Sequence, residues 1–137
     1  MLDSNSIANF LNEELKTYGS SELVFSKNLF SGQLSEKAGI AGKMHGVSYK
    51  VSMFEASIDA GFPAVSAHFS CNISDLYLSD ERVEMLSSDN RFIKIYRQDE
   101  EHMFMTCDTF FPRSYEKEFL QSIVKIWAGG MQKISRL

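Results

Sequence analysis

Histidine and cysteine are the residue types that would hold a metal ion in this chain. They occur at His45, His68, Cys71, His102 and Cys107, with no HxH, HxxxH or HExxH spacing. A zinc site needs three or four converging nitrogen or sulfur ligands. These residues would converge only if their strands were neighbours. The pattern favours a turn histidine, two strand-surface histidines and two small buried thiols. We therefore expect no metal, and two reduced, unpaired cysteines.

Acid–base chemistry would need a carboxyl group in an apolar setting, where burial raises its pKa. The acidic clusters are Asp99-Glu100-Glu101 at a predicted hairpin tip, and Asp80, Glu81 and Glu84 at a predicted helix start. Both places are expected to be exposed to solvent, so we interpret the clusters as solvated surface. The chain also has no G-x-S-x-G nucleophile motif and no Walker loop. The sequence predicts no catalytic residue, no cofactor and no enzyme activity.

Composition places the chain among ordinary globular domains. It has 137 residues, 44% hydrophobic and 23% charged, which excludes disordered, collagen-like and disulfide-rich classes. The formal net charge is −4 with no dense basic patch, so nucleic acid is not an expected partner. No apolar run reaches the roughly 18 residues of a membrane span. We expect a single domain over residues 1–137 and no membrane contact.

Three helices are predicted from apolar residues at helical spacing. They cover about 4–18, 79–88 and 114–135. Ser79 is the expected N-cap of the second helix. Gly129-Gly130 interrupts the apolar stripe of the third helix and predicts either a kink or a close approach by another backbone.

Strands are predicted from the alternation of apolar and polar residues. Residues 37–72 form a meander of three strands, with His45-Gly46 as a tight turn and Asp59-Ala60-Gly61 as a break. Two further strands, over 92–96 and 103–107, flank a polar hairpin loop. A parallel doubly wound fold needs a helix between successive strands, and the meander leaves no room for one. The order α-β-β-β-α-β-β-α predicts an α+β two-layer sandwich with an antiparallel sheet and N-terminal, middle and C-terminal helices.

The last two strands carry more apolar residues than one buried face requires. Either the surplus completes the core, or one sheet face meets a partner. The candidate interaction surface consists of Phe92, Ile93, Met103, Met105, Phe110 and Phe111. The core residues expected where these strands face the last helix are Phe92, Ile95, Phe104, Phe119, Ile123 and Trp127.

The second half of the chain resembles a known family. From Glu81 to Trp127 it reads as a helix, the pattern Asn90-x-Phe92-x-Lys94-x-Tyr96, an acidic hairpin loop, Met103-Phe104-Met105, Asp108 and a helix. This pattern resembles the YbjN family of bacterial sensory-transduction regulators, which is similar in architecture to the class I type III secretion chaperones. The likeness covers about 50 residues, and residues 109–112 depart from it by being bulkier and more apolar. The resemblance implies an α+β domain, a cytoplasmic bacterial protein and dimerisation, and it supplies no catalytic residues.

These observations predict a non-enzymatic interaction domain that binds a protein partner, or itself as a homodimer, through apolar sheet surface. The alternative within the same fold is a type III secretion chaperone for an effector protein, which the size and acidity of the chain also fit. An enzyme is the third hypothesis for the function, because no group of residues in the sequence has the pattern of a catalytic site.

Overall fold

The computed structural model describes residues 4–24, 30–31, 34–56, 65–111 and 117–136. The elements occur in the order α1, β1, β2, β3, β4, β5, α2, β6, β7 and α3. Their bounds are α1 Ser4–Leu15, β1 Ser20–Val24, β2 Phe30–Ser31, β3 Leu34–Met44, β4 Val47–Ala56, β5 Val65–Asn72, α2 Asp80–Asp89, β6 Lys94–Arg97, β7 Met103–Phe111 and α3 Lys117–Ser135.

The strands form one antiparallel sheet in the order β1-β3-β4-β5-β7-β6, and β2 pairs with β3 beside β1. Strands β5 and β6 each run antiparallel to β7, so they run parallel to each other with β7 between them. The chain passes from β5 to β6 through α2, which makes a split β-α-β unit. This crossover brings two sequence-distant strands onto the two edges of β7.

Helices α1 and α3 cover one face of the sheet and also contact each other. The core lies between them and the strands. Trp127 of α3 is fully buried, with its ring centroid 5.5 Å from that of Phe69 on β5 and 6.4 Å from that of Tyr49 on β4. The apolar stripe of α1 includes Ile7 and Leu11, which are also fully buried. Burial of these helix faces, rather than intrinsic helix propensity, accounts for most of their stability.

The predicted α+β class and the positions of the helices in the chain are confirmed. The turn at His45-Gly46 is also confirmed: both residues have positive φ, 52° and 79°, as a two-residue type I′ hairpin requires. The Ser79 side chain accepts a hydrogen bond from the Arg82 N–H at 3.3 Å, which is the predicted N-cap. The predicted break at Asp59-Ala60-Gly61 lies outside the described residues. The sheet also has two short strands, β1 and β2, on the N-terminal side of the predicted meander; β2 lies within 26–36, a region that the sequence leaves open as a loop or a weak edge strand.

Three of the predicted core residues are wrong, and two of these, Phe92 and Phe119, are exposed. Phe92 is 66% exposed, because it lies in a turn that precedes β6 rather than in the strand itself. Phe119 is 41% exposed at the margin of the buried stripe of α3, where its ring packs edge-on against Phe111 at 6.0 Å. Ile123 and Trp127 are buried as predicted. Ile95 is half-buried. Phe104 is half-buried too, but it pairs with Tyr96 on the sheet face opposite the helices, so its predicted place in this core is wrong.

The two adjacent glycines of α3 have different surroundings, and the helix continues through both. A Cβ atom at Gly130 would lie 2.9 Å from Cδ1 of Ile93, so this glycine lets a side chain beside the sheet approach the helix. A Cβ atom at Gly129 would have no atom within 4 Å. The predicted close approach therefore occurs at one of the two positions, and side chains rather than a backbone make it.

Candidate functional site: the open face of the sheet

The sheet face opposite the helices is the candidate functional surface, and we name it the open face. It is formed by the even-numbered residues of 48–54 on β4, 66–72 on β5, 94–96 on β6 and 104–110 on β7, and it continues onto β3 and β1. Side chains alternate between the two faces of a strand. On β5 this alternation gives buried positions on the helix side of the sheet and half-buried or exposed positions on the open face.

The centre of the open face is a cross-strand row formed by Ser52, His68 and Asp108. In the strand register, His68 lies opposite Ser52 on one side and opposite Asp108 on the other. Nδ1 of His68 lies 2.6 Å from Oδ1 of Asp108. The two residues are 40 positions apart in sequence, so the sheet alone brings them together.

Aromatic side chains lie on both sides of this row. Phe110 is 53% exposed and Tyr96 is 48% exposed, while Phe54 and Phe104 are half-buried. An open depression of about 400 Å³ lies beside the row, lined by His68, Ser70, Lys94, Tyr96, Phe104, Thr106 and Asp108. The open face thus combines exposed aromatic rings with hydroxyl, lysine and histidine side chains.

The six residues predicted as an interaction surface do not form one. Ile93, Met103, Met105 and Phe111 are buried, which corrects that part of the prediction. The physical reason is strand alternation: Met103, Met105 and Phe111 occupy the odd-numbered positions of β7, which face the helices, and Ile93 packs beneath Gly130.

The other two predicted surface residues are exposed but lie apart. Phe110 is on the open face, whereas Phe92 is in the turn before β6. The sequence predicted His68 at a strand surface, but it did not predict that His68, Asp108 and Lys94 share one face of the sheet. The one signal in the sequence was the polar side of the alternating strand pattern. This pattern shows that a strand has a polar face, but it does not show which residues of the neighbouring strands lie beside it.

The metal-ligating residue types do not converge, although β5 and β7 are neighbours. Cys71 and Cys107 are buried on the helix side of the sheet, His68 is on the open face, and His102 lies at the start of β7. The ring of His102 binds Asp99 at 2.8 Å. In the part of the chain that the structure describes, no group of three or more His, Cys, Asp or Glu residues is placed to hold a metal ion.

One carboxylate of the acidic hairpin between β6 and β7, that of Asp99, has a structural role. Oδ1 of Asp99 accepts hydrogen bonds from the backbone N–H groups of Glu101, at 2.8 Å, and His102, at 2.9 Å. The hydrogen bond from the His102 side chain lowers the pKa of Asp99 most, and the Glu101 N–H adds to this effect. Asp99 therefore stabilises the turn as a carboxylate.

Both thiols should be unreactive in the folded protein. Burial raises the pKa of Cys71 to about 12 and that of Cys107 to about 11, and the negative charge of Asp108 adds to the second shift. A thiolate is the reactive form. At pH 8 we therefore expect iodoacetamide to label the folded protein at least about tenfold more slowly than the urea-unfolded protein. Mass spectrometry without reductant should show two free thiols, and a mass two units lower or a bound zinc ion would contradict this prediction.

The same pKa shifts predict how stability depends on pH. Since folding raises both pKa values, the contribution of the thiols is complete below the pKa of an unfolded thiol, about 8.5. It is lost as the pH rises through about 11 to 12. Replacing both cysteines by alanine should therefore flatten the fall of stability with pH above about 9, and an unchanged fall would show that other groups cause it.

None of the described helices combines the length and apolarity needed to cross a bilayer. No family model, curated protein or solved structure matches this chain.

Proposed function

We propose that this chain is a non-enzymatic protein-interaction domain that binds a partner protein, or a second copy of itself, through the open face. The observation that carries this proposal is a broad sheet face, uncovered by the described helices, on which Tyr96 and Phe110 are about half exposed. Tyrosine and phenylalanine are enriched in protein interfaces, where their rings bury a large area.

The row formed by Ser52, His68 and Asp108 has the residue types of a hydrolase triad, and its geometry argues against that role. Ser52 is 7% exposed, and no hydrogen bond joins its hydroxyl to His68 in the described structure. Ser52 also lies on a strand that is paired on both sides, to Gly39 and to His68. Backbone N–H groups committed to such ladders are not free to form an oxyanion hole. These features support the non-enzymatic proposal.

The proposal includes a YbjN-like regulatory role and a cytoplasmic location, both of which rest on the sequence resemblance. The chaperone alternative would use the same surface, and the identity of the bound protein would separate the two. A secreted effector as the specific partner favours the chaperone role, whereas a regulatory protein or a second copy of this chain favours the interaction domain.

The test compares two matched double variants. Tyr96→Ser with Phe110→Ser removes aromatic surface from the open face. Met85→Ser with Phe92→Ser removes exposed apolar side chains elsewhere, since these residues are 55% and 66% exposed on α2 and in the turn after it. Self-association is measured by sedimentation at low and high salt, and partner binding by affinity purification from the native cell with mass spectrometry.

The open-face variant should bind a specific partner, or itself, at least about tenfold more weakly, equivalent to about 1.4 kcal/mol. The control variant should bind like the wild type. If the wild-type protein associates with itself through apolar surface, the dimer should also survive high salt, because hydrophobic association is not screened as ion pairs are. Equal binding by both variants, or a wild-type protein that neither self-associates nor retains any specific partner, would overturn the proposal.

A further inference from the structure

A second row on the open face has a lysine at each end. The strand register places Lys50 on β4 opposite Ser70 on β5, Ser70 opposite Thr106 on β7, and Thr106 opposite Lys94 on β6. We name these four residues the lysine row. Both lysines are exposed, and neither has a carboxylate partner within the part of the chain that the structure describes.

The open face is less acidic than the chain as a whole. Three lysines, Lys43, Lys50 and Lys94, and three carboxylates, Glu22, Glu36 and Asp108, occupy open-face positions of the described strands. Their formal charges sum to zero, whereas the chain as a whole carries −4, and Glu22 and Glu36 lie on β1 and β3, away from the centre of the face. The Asp108 carboxylate is already engaged by the ring of His68. The unengaged charge near the centre of the face is thus positive.

The spacing of the two lysines restricts what they can bind together. They are separated by three steps between neighbouring strands, and each step is about 4.8 Å, so their backbones are about 14 Å apart. An extended peptide advances about 3.3 Å per residue. Two carboxylates four residues apart on such a peptide would lie about 13 Å apart and on the same side of it, because side chains alternate.

The lysine row has a different cross-strand row on each side. On one side, Phe104 and Tyr96 form the next cross-strand pair and offer apolar contact. On the other side lies the His68–Asp108 pair, whose carboxylate repels a second negative group placed directly over it. A bound acidic segment is therefore favoured over the lysine row and the aromatic pair, and disfavoured over Asp108.

We propose that the open face binds an extended segment of a partner protein that carries two carboxylates about four residues apart, one paired with Lys50 and the other with Lys94. This inference rests on the proposed function and names the kind of segment that the face takes. The aromatic pair beside the row adds contact with an apolar side chain on that segment.

The probe is a fluorescein-labelled synthetic peptide of eight residues with glutamates at positions 2 and 6, leucine at position 4, and serine elsewhere. Two control peptides carry the glutamates at positions 2 and 3, or lysines at positions 2 and 6. Binding is followed by fluorescence anisotropy at low and moderate salt. A labelled single-stranded oligothymidine of similar charge tests nucleic acid as the alternative occupant.

The protein variants are matched in charge. Lys50→Glu with Lys94→Glu reverses the lysine row, and Lys117→Glu with Lys125→Glu makes the same charge change on exposed positions of α3. The first variant should bind the 2,6-glutamate peptide at least about tenfold more weakly, and the second should bind like the wild type. The affinity should fall with added salt, and the 2,6-glutamate peptide should bind more tightly than either control peptide.

Three results would overturn the proposal: equal binding of all three peptides, equal loss of binding in both charge variants, or tighter binding of the oligothymidine through the same lysines. The failure of this inference is distinguishable from that of the proposed function. If a native partner is lost in the Tyr96→Ser, Phe110→Ser variant but retained when the lysine row is reversed, the open face binds a protein by another chemistry. If neither variant loses it, the proposed function fails as well.

Discussion

Replacing Trp127 by alanine is expected to lower the free energy of unfolding by about 3–5 kcal/mol. The side chain is fully buried at the centre of the core, where its ring contacts those of Phe69 and Tyr49. Truncation would leave a cavity between α3 and the sheet and remove both aromatic contacts. Urea unfolding followed by far-ultraviolet circular dichroism measures this loss.

A second substitution at the same position separates packing from hydrogen bonding. The indole Nε1 of Trp127 is buried and has no hydrogen-bond partner in the described structure. Trp127→Phe removes that unsatisfied donor, which itself costs about 1–3 kcal/mol. This relief offsets part of the lost volume, so we expect Trp127→Phe to destabilise the fold much less than Trp127→Ala.

The control for this prediction is Phe92→Ala. Phe92 was expected in the core from sequence and is 66% exposed, so its truncation should cost less than about 1 kcal/mol. A loss below about 1 kcal/mol for Trp127→Ala, or a loss for Phe92→Ala as large as that for Trp127→Ala, would show that α3 does not pack on the sheet as described.

The difference between these two residues shows what a sequence pattern can predict. The strands β4 and β5 alternate strictly, so their inward residues Tyr49, Val51, Phe69 and Cys71 could be identified from sequence, and all are buried. The region 92–96 has no such alternation, because Phe92 and Ile93 are both apolar. Without alternation, neither the start of β6 nor the direction of each side chain could be predicted.

The open face could be predicted only as a polar side of the sheet. Its chemistry depends on which residues lie opposite each other, and this follows from the strand order β4-β5-β7-β6. Placing β7 between β5 and β6 brings Asp108 beside His68 and puts Lys94 at the end of the row that begins with Lys50. These pairs join distant parts of the sequence, and no local pattern of residues records them.

Replacing Gly42 by alanine is expected to destabilise the edge of the sheet by about 1–3 kcal/mol. A Cβ atom there would overlap the carbonyl oxygen of Ser20 on β1 and would lie 2.6 Å from the hydroxyl oxygen of Tyr49 on β4. That hydroxyl donates a hydrogen bond to the same Ser20 carbonyl at 3.3 Å. Since a backbone atom cannot move aside as a flexible side chain can, β1 must shift away from β3.

The local nature of this effect can be measured by hydrogen exchange. Amides of β1 and of the facing part of β3 should lose protection in Gly42→Ala, while those of β5 and β7 should change only with global stability. Gly129→Ala is the matched control: a Cβ atom there meets nothing within 4 Å, and alanine favours a helix over glycine by about 0.5–1 kcal/mol. It should therefore stabilise the protein. Unchanged stability and β1 protection in Gly42→Ala would mean that β1 does not pack against Gly42 as closely as the structure indicates.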